Sequence, residues 1–195
     1  LAPVLRILGV KAVLHIREHP NFINRKVARN IFERCLKCCD VKIAIFDSEV
    51  YDFDTDNIVT IYNPILREKN ISTNNSDLEY DICSLGGYSE WKESFNLLKF
   101  FEKNPNRKLL LVGCKKENLS VYERKCYQLA ESLKNVTTVG VVTDVNPYFT
   151  AAKLHFFGSK KPHFGRPIIE AAYLARRSVC RRNRYNEILS KKYNC

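Results

Sequence analysis

From residue 80 onward, short apolar runs of strand length alternate with longer amphipathic stretches, and this alternation restricts the fold more than any other feature. Runs such as "KLLLVG" at 108–113 and "VTTVGVV" at 136–142 are apolar, in part β-branched, and typical of buried strands. Between them, stretches such as "SEWKESFNLLKFFEKN" at 89–104 carry apolar residues at helical spacing. The pattern predicts an α/β fold with a doubly wound, open parallel sheet and helices on both faces.

The beginning of the chain shows the same alternation over a shorter length, with the apolar runs "KAVLHI" and "VKIAIF" on either side of a helical stretch. Between the two regions lies "REKNISTNNSD" at 67–77, which is polar, rich in asparagine and without period, as linkers are. The sequence therefore predicts a partial first Rossmann-like domain at 1–66, a linker at 67–79 and a second Rossmann-like domain at 80–195.

The net charge of +11 is unevenly distributed, since residues 151–195 hold eleven Lys or Arg against only Glu170 and Glu187. Such a basic region indicates an anionic partner, either nucleic acid, a membrane surface or a phosphorylated ligand, unless it is simply a solvated cationic face. Aromatic residues of this region fall inside predicted strands and helices, which argues against nucleic acid. No apolar run approaches the length of a membrane span, so we expect a cytoplasmic protein, in peripheral contact with anionic lipid if with any membrane.

The eight cysteines are expected to be reduced thiols, because no secretory leader is recognisable. "CLKCC" at 35–39 resembles half of a zinc site, but no second pair follows, and helical spacing places Cys35 and Cys39 beside Ile31 and Phe32 as packing residues. The acidic stretch "DFDTD" at 52–56 is interpreted as a polar turn. We therefore expect no metal and no bound cofactor.

Ligands of open parallel sheets bind beyond the carboxyl ends of the strands. "GGYSEWK" at 86–92 follows a predicted strand, and Gly86 and Gly87 are expected to let a ligand approach and to expose their amides. Lys92 is predicted to lie in the first turn of the next helix, where free N–H groups also favour an anion. The stretch is a candidate phosphate cradle, although two glycines after a strand are often only a turn.

A second candidate lies in "KKPHFGRPIIEAA" at 160–172, where Glu170 interrupts an otherwise apolar helix. Gly165 and Pro167 are typical of a helix start, so Glu170 is predicted about one turn into the helix. One interpretation is a helix-start carboxylate paired with Arg166. The other is a carboxylate that accepts hydrogen bonds from the vicinal hydroxyls of a ribose, since a buried carboxylate needs donors.

Four stretches together resemble the carboxyl-terminal domain of the group 1 glycosyltransferases, a retaining family of the GT-B fold. These stretches are "SLGGYSEWKESFNLL", "RKLLLVG", "NVTTVGVVTDVNPYF" and "PHFGRPIIEA", in the order and spacing of the family pattern. The stretch 11–64 also resembles the second half of the family's amino-terminal domain. Because the family is about twice as long and this chain begins at Leu1 without any Met, we expect a fragment that is inactive alone.

The resemblance implies roles for individual residues. Glu170 corresponds to the glutamate that holds the ribose of the nucleotide sugar, and Lys92 to the lysine that neutralises the diphosphate. The amides around Phe164, Gly165 and Arg166 would face the donor.

The chain departs from the family pattern at two positions. Pro162 stands where a first glutamate usually contacts the sugar, with His163, Lys160 and Lys161 as nearby substitutes, and Gly87 stands where an arginine is usual.

The function implied is transfer of a sugar, with retained configuration and without a metal, from a nucleotide-diphosphate sugar to a cell-surface polysaccharide or glycolipid. Lys92 and the Gly86–Gly87 amides would stabilise the departing diphosphate, with Arg166 as a further candidate. Arg17 and Glu18 end the first strand and are either contacts for acceptor or donor phosphate or a solvated charge pair. Two alternatives stay open: a basic nucleic-acid-binding α/β domain and a GT-B sugar-nucleotide epimerase.

Overall fold

The computed structural model describes residues 2–17, 26–46, 56–62, 64, 78–160 and 165–193. The chain divides into two units, Leu1–Ile65 and Leu66–Cys195. The stretch predicted as a linker lies almost wholly outside the described residues.

The first unit is a three-stranded parallel sheet in the order β1-β2-β3, with two helices. Its elements are α1 (Ala2–Ile7), β1 (Val13–Ile16), α2 (Lys26–Lys37), β2 (Val41–Ala44) and β3 (Ile58–Thr60). Leu36 of α2, Cys39 just after this helix and Phe46 just after β2 are buried. Ile31, which spacing had placed on the packing side of this helix, is 58% exposed. Within the "CLKCC" stretch Leu36 and Cys39 are buried, whereas Cys35 and Cys38 are partly exposed.

The second unit is a five-stranded parallel sheet in the order β6-β5-β4-β7-β8. Its strands are β4 (Tyr80–Leu85), β5 (Leu109–Val112), β6 (Val136–Val139), β7 (Ala152–Phe157) and β8 (Arg177–Cys180). Its helices are α3 (Ser94–Lys103), α4 (Val121–Ser132), α5 (Asn146–Thr150), α6 (Arg166–Tyr173) and α7 (Arg184–Tyr193). The predicted α/β fold class, with open parallel sheets and helices on both faces, is confirmed.

Alternate residues of the interior strand β5 face opposite sides of this sheet, and all four of its residues are buried. Leu109 and Leu111 pack against α3 and α4, together with Phe101 and Cys126. The opposite face of the sheet packs against α5 and α6, through a cluster of Phe149, Ala171 and Leu174. A strand covered on both faces needs a continuous apolar run, which explains "LLLV".

The order of the strands reverses between β4 and β7, which lie side by side although three helices and two strands separate them in the chain. Ser84 of β4 pairs with Phe156 of β7, so the two strands end at the same edge of the sheet. In open α/β sheets this switch point is where a crevice forms beyond the carboxyl ends of the strands. The loops that leave β4 and β7 therefore define the candidate site.

Candidate functional site

The glycine turn after β4 has a backbone that side chains rarely adopt, with φ of +103° at Gly86 and +60° at Gly87. Both amides donate to the carbonyl of Val112, each at 2.8 Å, because the pairing of β4 with β5 continues past Leu85. The prediction that these amides are exposed to a ligand is therefore wrong. A Cβ on Gly87 would overlap the carbonyl oxygen of Gly113, so the turn requires glycine there.

The ammonium of Lys92 folds back over this turn. Its Nζ donates to the carbonyl of Leu85 at 3.0 Å and lies so close to Gly86 that a Cβ on that residue would overlap it. Burial of the side chain lowers the pKa of Lys92, since a partly desolvated ammonium is less stable than a hydrated one. The gap left by a missing side chain at Gly86 thus holds a positive charge at the edge of the sheet.

Lys92 does not lie in the first turn of α3, as the sequence predicted, but in a turn before it. The helix begins at Ser94, whose hydroxyl donates to the carbonyl of Gly87 at 2.7 Å and accepts from the amide of Ser89 at 3.0 Å. These two hydrogen bonds hold residues 87–94 in a closed turn, so the helix begins only at Ser94. The residue before the helix, Glu93, is left-handed (φ 56°) and makes no side-chain cap.

The loop after β7 contacts the loop after β4 through backbone atoms. The amide of Lys160 donates to the carbonyl of Trp91 at 2.9 Å, and the carbonyl of Lys92 lies against Gly158, where a Cβ would overlap it. The two loops that carry the predicted site residues therefore meet across the switch point.

A buried histidine on β7 lies near Lys92. The Nδ1 atom of His155 is 3.0 Å from the hydroxyl of Ser178, and its ring packs edge-on against Phe149, 5.0 Å between ring centres. Burial and, secondarily, the charge of Lys92 lower the pKa of His155 to about 3. The imidazole is consequently neutral at physiological pH, which leaves Lys92 as the cation here.

Helix α6 begins at Arg166, with Pro167 in its first turn and Gly165 before it, as predicted. Glu170 lies one turn into the helix, and its Oε1 accepts from Nε of Arg166 at 2.8 Å. The carboxylate is 14% exposed, whereas the guanidinium side chain is 58% exposed. Among the described residues Arg166 is its ion-pair partner, so the interpretation as a paired helix-start carboxylate is confirmed, and any contact with a ribose stays a prediction.

The structure gathers most of the predicted site residues at one edge of the second sheet. Gly86, Gly87 and Lys92 follow β4, and Gly165, Arg166 and Glu170 follow its neighbour β7.

The remaining predicted site residues are Phe164, Glu18 and Arg17. Phe164 and Glu18 lie outside the described residues, as does Pro162. Arg17 directly follows β1 in the first unit and is exposed.

Sequence reasoning missed a cleft of about 400 Å³ beside the glycine turns, between the starts of α3 and α4. Its lining consists of Gly86, Tyr88, Ser89, Glu90, Trp91, Gly113, Lys115, Ser120, Tyr122 and Glu123. One signal was available, because Trp91 is the single tryptophan of the chain and directly precedes Lys92. The sequence does not show that α4 lines the cleft, because this depends on how α3 and α4 pack side by side.

Comparison with known proteins gives a family and several related folds. The family described as "Glycosyl transferases group 1" matches residues 53–181. No curated protein matches the chain in sequence.

Among solved structures, that of Anabaena Alr3699/HepE in complex with UDP and glucose has a TM-score of 0.72 at 17% identity. The alignment covers 96% of this chain and 57% of that one. TarM of S. aureus, in complex with fondaparinux, alpha-GlcNAc-glycerol and UDP, has a TM-score of 0.60 at 18% identity, covering 88% of this chain and 36% of that one. Sucrose-phosphate synthase from Thermosynechococcus elongatus has a TM-score of 0.60 at 20% identity, covering 81% and 45%. The chain thus spans little more than half of HepE and less of the other two, and the predicted GT-B fold class is confirmed.

Proposed function

The chain belongs to the group 1 glycosyl transferases, and from this premise we propose that the protein transfers a sugar from a nucleotide-diphosphate sugar, with retained configuration, to a carbohydrate or lipid-linked acceptor of the cell surface. The observation that carries the proposal is the partly buried ammonium of Lys92 over Gly86, at the edge of the sheet where the neighbouring strand β7 leads to α6 with Glu170. A related fold was determined with UDP and glucose, which supports a nucleotide-sugar donor.

The proposed chemistry is stabilisation of a leaving diphosphate. When the bond from the anomeric carbon to the phosphate oxygen breaks, negative charge grows on the diphosphate and positive charge on the sugar ring. A fixed cation in a partly desolvated site stabilises that developing charge more strongly than water does. Lys92 occupies such a position, so we assign it this role and expect the reaction to need no metal.

Glu170 is assigned to the ribose. Its carboxylate is nearly buried, and Arg166 occupies Oε1, so Oε2 is the oxygen available to accept bonds from the two ribose hydroxyls. For the acceptor we assign Arg17 and Glu18, which follow the first strand, as candidate contacts to acceptor or donor phosphate. The structure of TarM with alpha-GlcNAc-glycerol supports the general class of a carbohydrate acceptor.

Substituting Glu170 with glutamine tests the ribose assignment. Hydrogen bonds to a charged group contribute about 1.5–3 kcal/mol, so E170Q is expected to weaken binding of UDP or UDP-glucose about ten- to a hundredfold. Isothermal titration calorimetry measures the change. The matched control is Glu187→Gln, because Glu187 is also paired with an arginine, Arg182, at 2.7 Å, but lies on α7. Equal affinities of E170Q and E187Q would refute the ribose assignment.

A second part of the proposal concerns the basic end of the chain, which we assign to peripheral contact with an anionic membrane surface. No helix among the described residues is long and apolar enough to span a bilayer. Among the residues of this region whose exposure the structure describes, the exposed cations are Lys153, Lys160, Arg166, Arg177, Arg181, Arg182 and Lys191. Each basic residue near an anionic surface contributes about 1 kcal/mol.

We therefore expect the protein to float with vesicles of phosphatidylglycerol and phosphatidylcholine, and to be released by salt. Vesicles of phosphatidylcholine alone are the control. Equal flotation with both would refute an electrostatic contact, and salt-dependent binding to DNA or RNA without flotation would favour the nucleic-acid alternative instead.

A further inference from the structure

The cleft beside the glycine turns lies on the face of the second sheet that carries α3 and α4. Gly86 and Gly113, the turns after β4 and β5, form its inner end, with backbone atoms 3.4 Å from an ideal Cβ of Gly113. Tyr88 forms its base, 5% exposed and edge-on to Tyr127. Its volume of about 400 Å³ lies within the range of pockets that hold small molecules.

The walls of this cleft are fixed before any ligand binds. On the α3 side, the hydroxyl of Ser94 closes the turn that carries Glu90 and Trp91. On the α4 side, Ser120 and Glu123 form a reciprocal cap, with Ser120 N donating to Glu123 Oε2 at 2.9 Å. The hydroxyl of Tyr122 accepts from the amide of Phe95 at 3.0 Å and ties the two helices together. A ligand entering the cleft therefore meets a preformed surface, which lowers the entropic cost of binding.

The chemistry of the lining combines an aromatic face with acceptors. Trp91 is 48% exposed, and its backbone carbonyl accepts a hydrogen bond from the amide of Lys160. The carboxylate of Glu90 is exposed, and no described side chain binds it. Glu123 uses Oε2 for the cap and leaves Oε1 available. Stacking on an aromatic face combined with hydroxyls donated to carboxylates is the way in which a pyranose ring binds, because the ring has one apolar C–H face and a polar rim.

We propose that this cleft binds the ring of a carbohydrate, stacked on Trp91 and held through its hydroxyls by Glu90. The proposal rests on the proposed function, because that function supplies the ring. The ring is either the sugar of the donor or a sugar of the acceptor. Glu170 belongs to α6 on one face of the sheet, and the cleft opens on the other face. Gly86 lines the cleft and lies under the ammonium of Lys92, so a diphosphate bound at Lys92 adjoins the cleft.

Trp91 itself provides the test, since its fluorescence is the only tryptophan emission of the 195-residue chain. We expect UDP-glucose, UDP-galactose, UDP-N-acetylglucosamine or GDP-mannose to change the Trp91 emission more than UDP or GDP alone does. A response to the nucleotide sugars only would assign the ring to the donor. A saturable response to methyl glucoside, methyl galactoside or methyl mannoside, in the presence of UDP, would assign it to the acceptor. Either response supports the cleft, and W91F supplies the background emission.

Glu90→Gln is the test by substitution. Loss of hydrogen bonds to its carboxylate is expected to raise the Kd of the responding sugar ligand about three- to tenfold while leaving the Kd of UDP within about twofold. Glu117→Gln is the control, because Glu117 is exposed in the adjacent loop and does not line the cleft. If nucleotides bind but no sugar changes the emission beyond UDP alone, or if E90Q behaves as E117Q, the inference is overturned. If calorimetry detects no binding of any nucleotide, the proposed function fails instead, and the methyl glycosides still test the cleft.

Discussion

Replacing Lys92 with methionine is expected to lower the affinity for UDP about ten- to a hundredfold. Methionine keeps most of the volume of the side chain but removes the ammonium, and a charge-assisted bond to a phosphate contributes roughly 1.5–3 kcal/mol. The free energy of unfolding should not fall by the same amount as the free energy of binding. The reason is that burial already disfavours the charged form of this side chain, as the lowered pKa of Lys92 indicates. Isothermal titration calorimetry gives the affinity, and thermal denaturation gives the stability.

Lys99→Met is the matched control for this substitution. Lys99 lies on the exposed side of α3 and pairs with Glu102 at 2.8 Å, so its replacement removes a lysine from the same helix region without touching the glycine turn. A second measurement is the pH dependence of UDP binding by the unsubstituted protein. Because the pKa of Lys92 is lowered, its positive charge is lost as the pH rises toward that pKa, and affinity should fall at a pH below that expected for an ordinary lysine. Unchanged affinity in K92M would remove Lys92 from the site.

The substitution Gly87→Ala is expected to destabilise the second unit by roughly 2–5 kcal/mol. The backbone of Gly87 has φ +60°, and the added methyl group would overlap the carbonyl oxygen of Gly113. That carbonyl has little freedom to move, since the amide of Cys114 in the same planar peptide group donates to the carbonyl of Val139 at 2.8 Å. Denaturant-induced unfolding, followed by circular dichroism, measures the difference.

Gly140→Ala provides the comparison, because an added Cβ at Gly140 would meet no atom within 4 Å. It is expected to change the free energy of unfolding by less than about 0.5 kcal/mol. Similar unfolding free energies for G87A and G140A would show that the turn after β4 is able to rearrange, and that the contact with Gly113 does not require glycine.

Much of the second unit was predictable from the sequence. The runs predicted as strands at 108–113 and 136–142 contain β5 (Leu109–Val112) and β6 (Val136–Val139), and the start of α6 at Arg166 follows from the Gly–Arg–Pro sequence. These features depend on the conformational preferences of individual residues and on burial of a continuous apolar run. Both can be recognised from residues that are neighbours in the sequence.

The predictions that were wrong concern residues that form hydrogen bonds or contacts outside their own helix or strand. The start of α3 was placed too early because the hydroxyl of Ser94 bonds back to Gly87, which no helical periodicity reveals. The amides of Gly86 and Gly87 were expected to be free because their pairing with Val112 depends on the register between two strands. The cleft was missed for the same reason, since Tyr122 and Glu123 of α4 and its N-cap Ser120 form part of the lining.

The join between the loops after β4 and β7 is made by peptide groups: the amide of Lys160 to the carbonyl of Trp91, and the carbonyl of Lys92 against Gly158. Because main-chain atoms are common to all amino acids, this backbone contact between the two loops tolerates replacement of the side chains at 91 and 160. The distance between the two loops can then stay the same while their side chains change, which is one physical route by which folds sharing under a fifth of their residues keep the same framework.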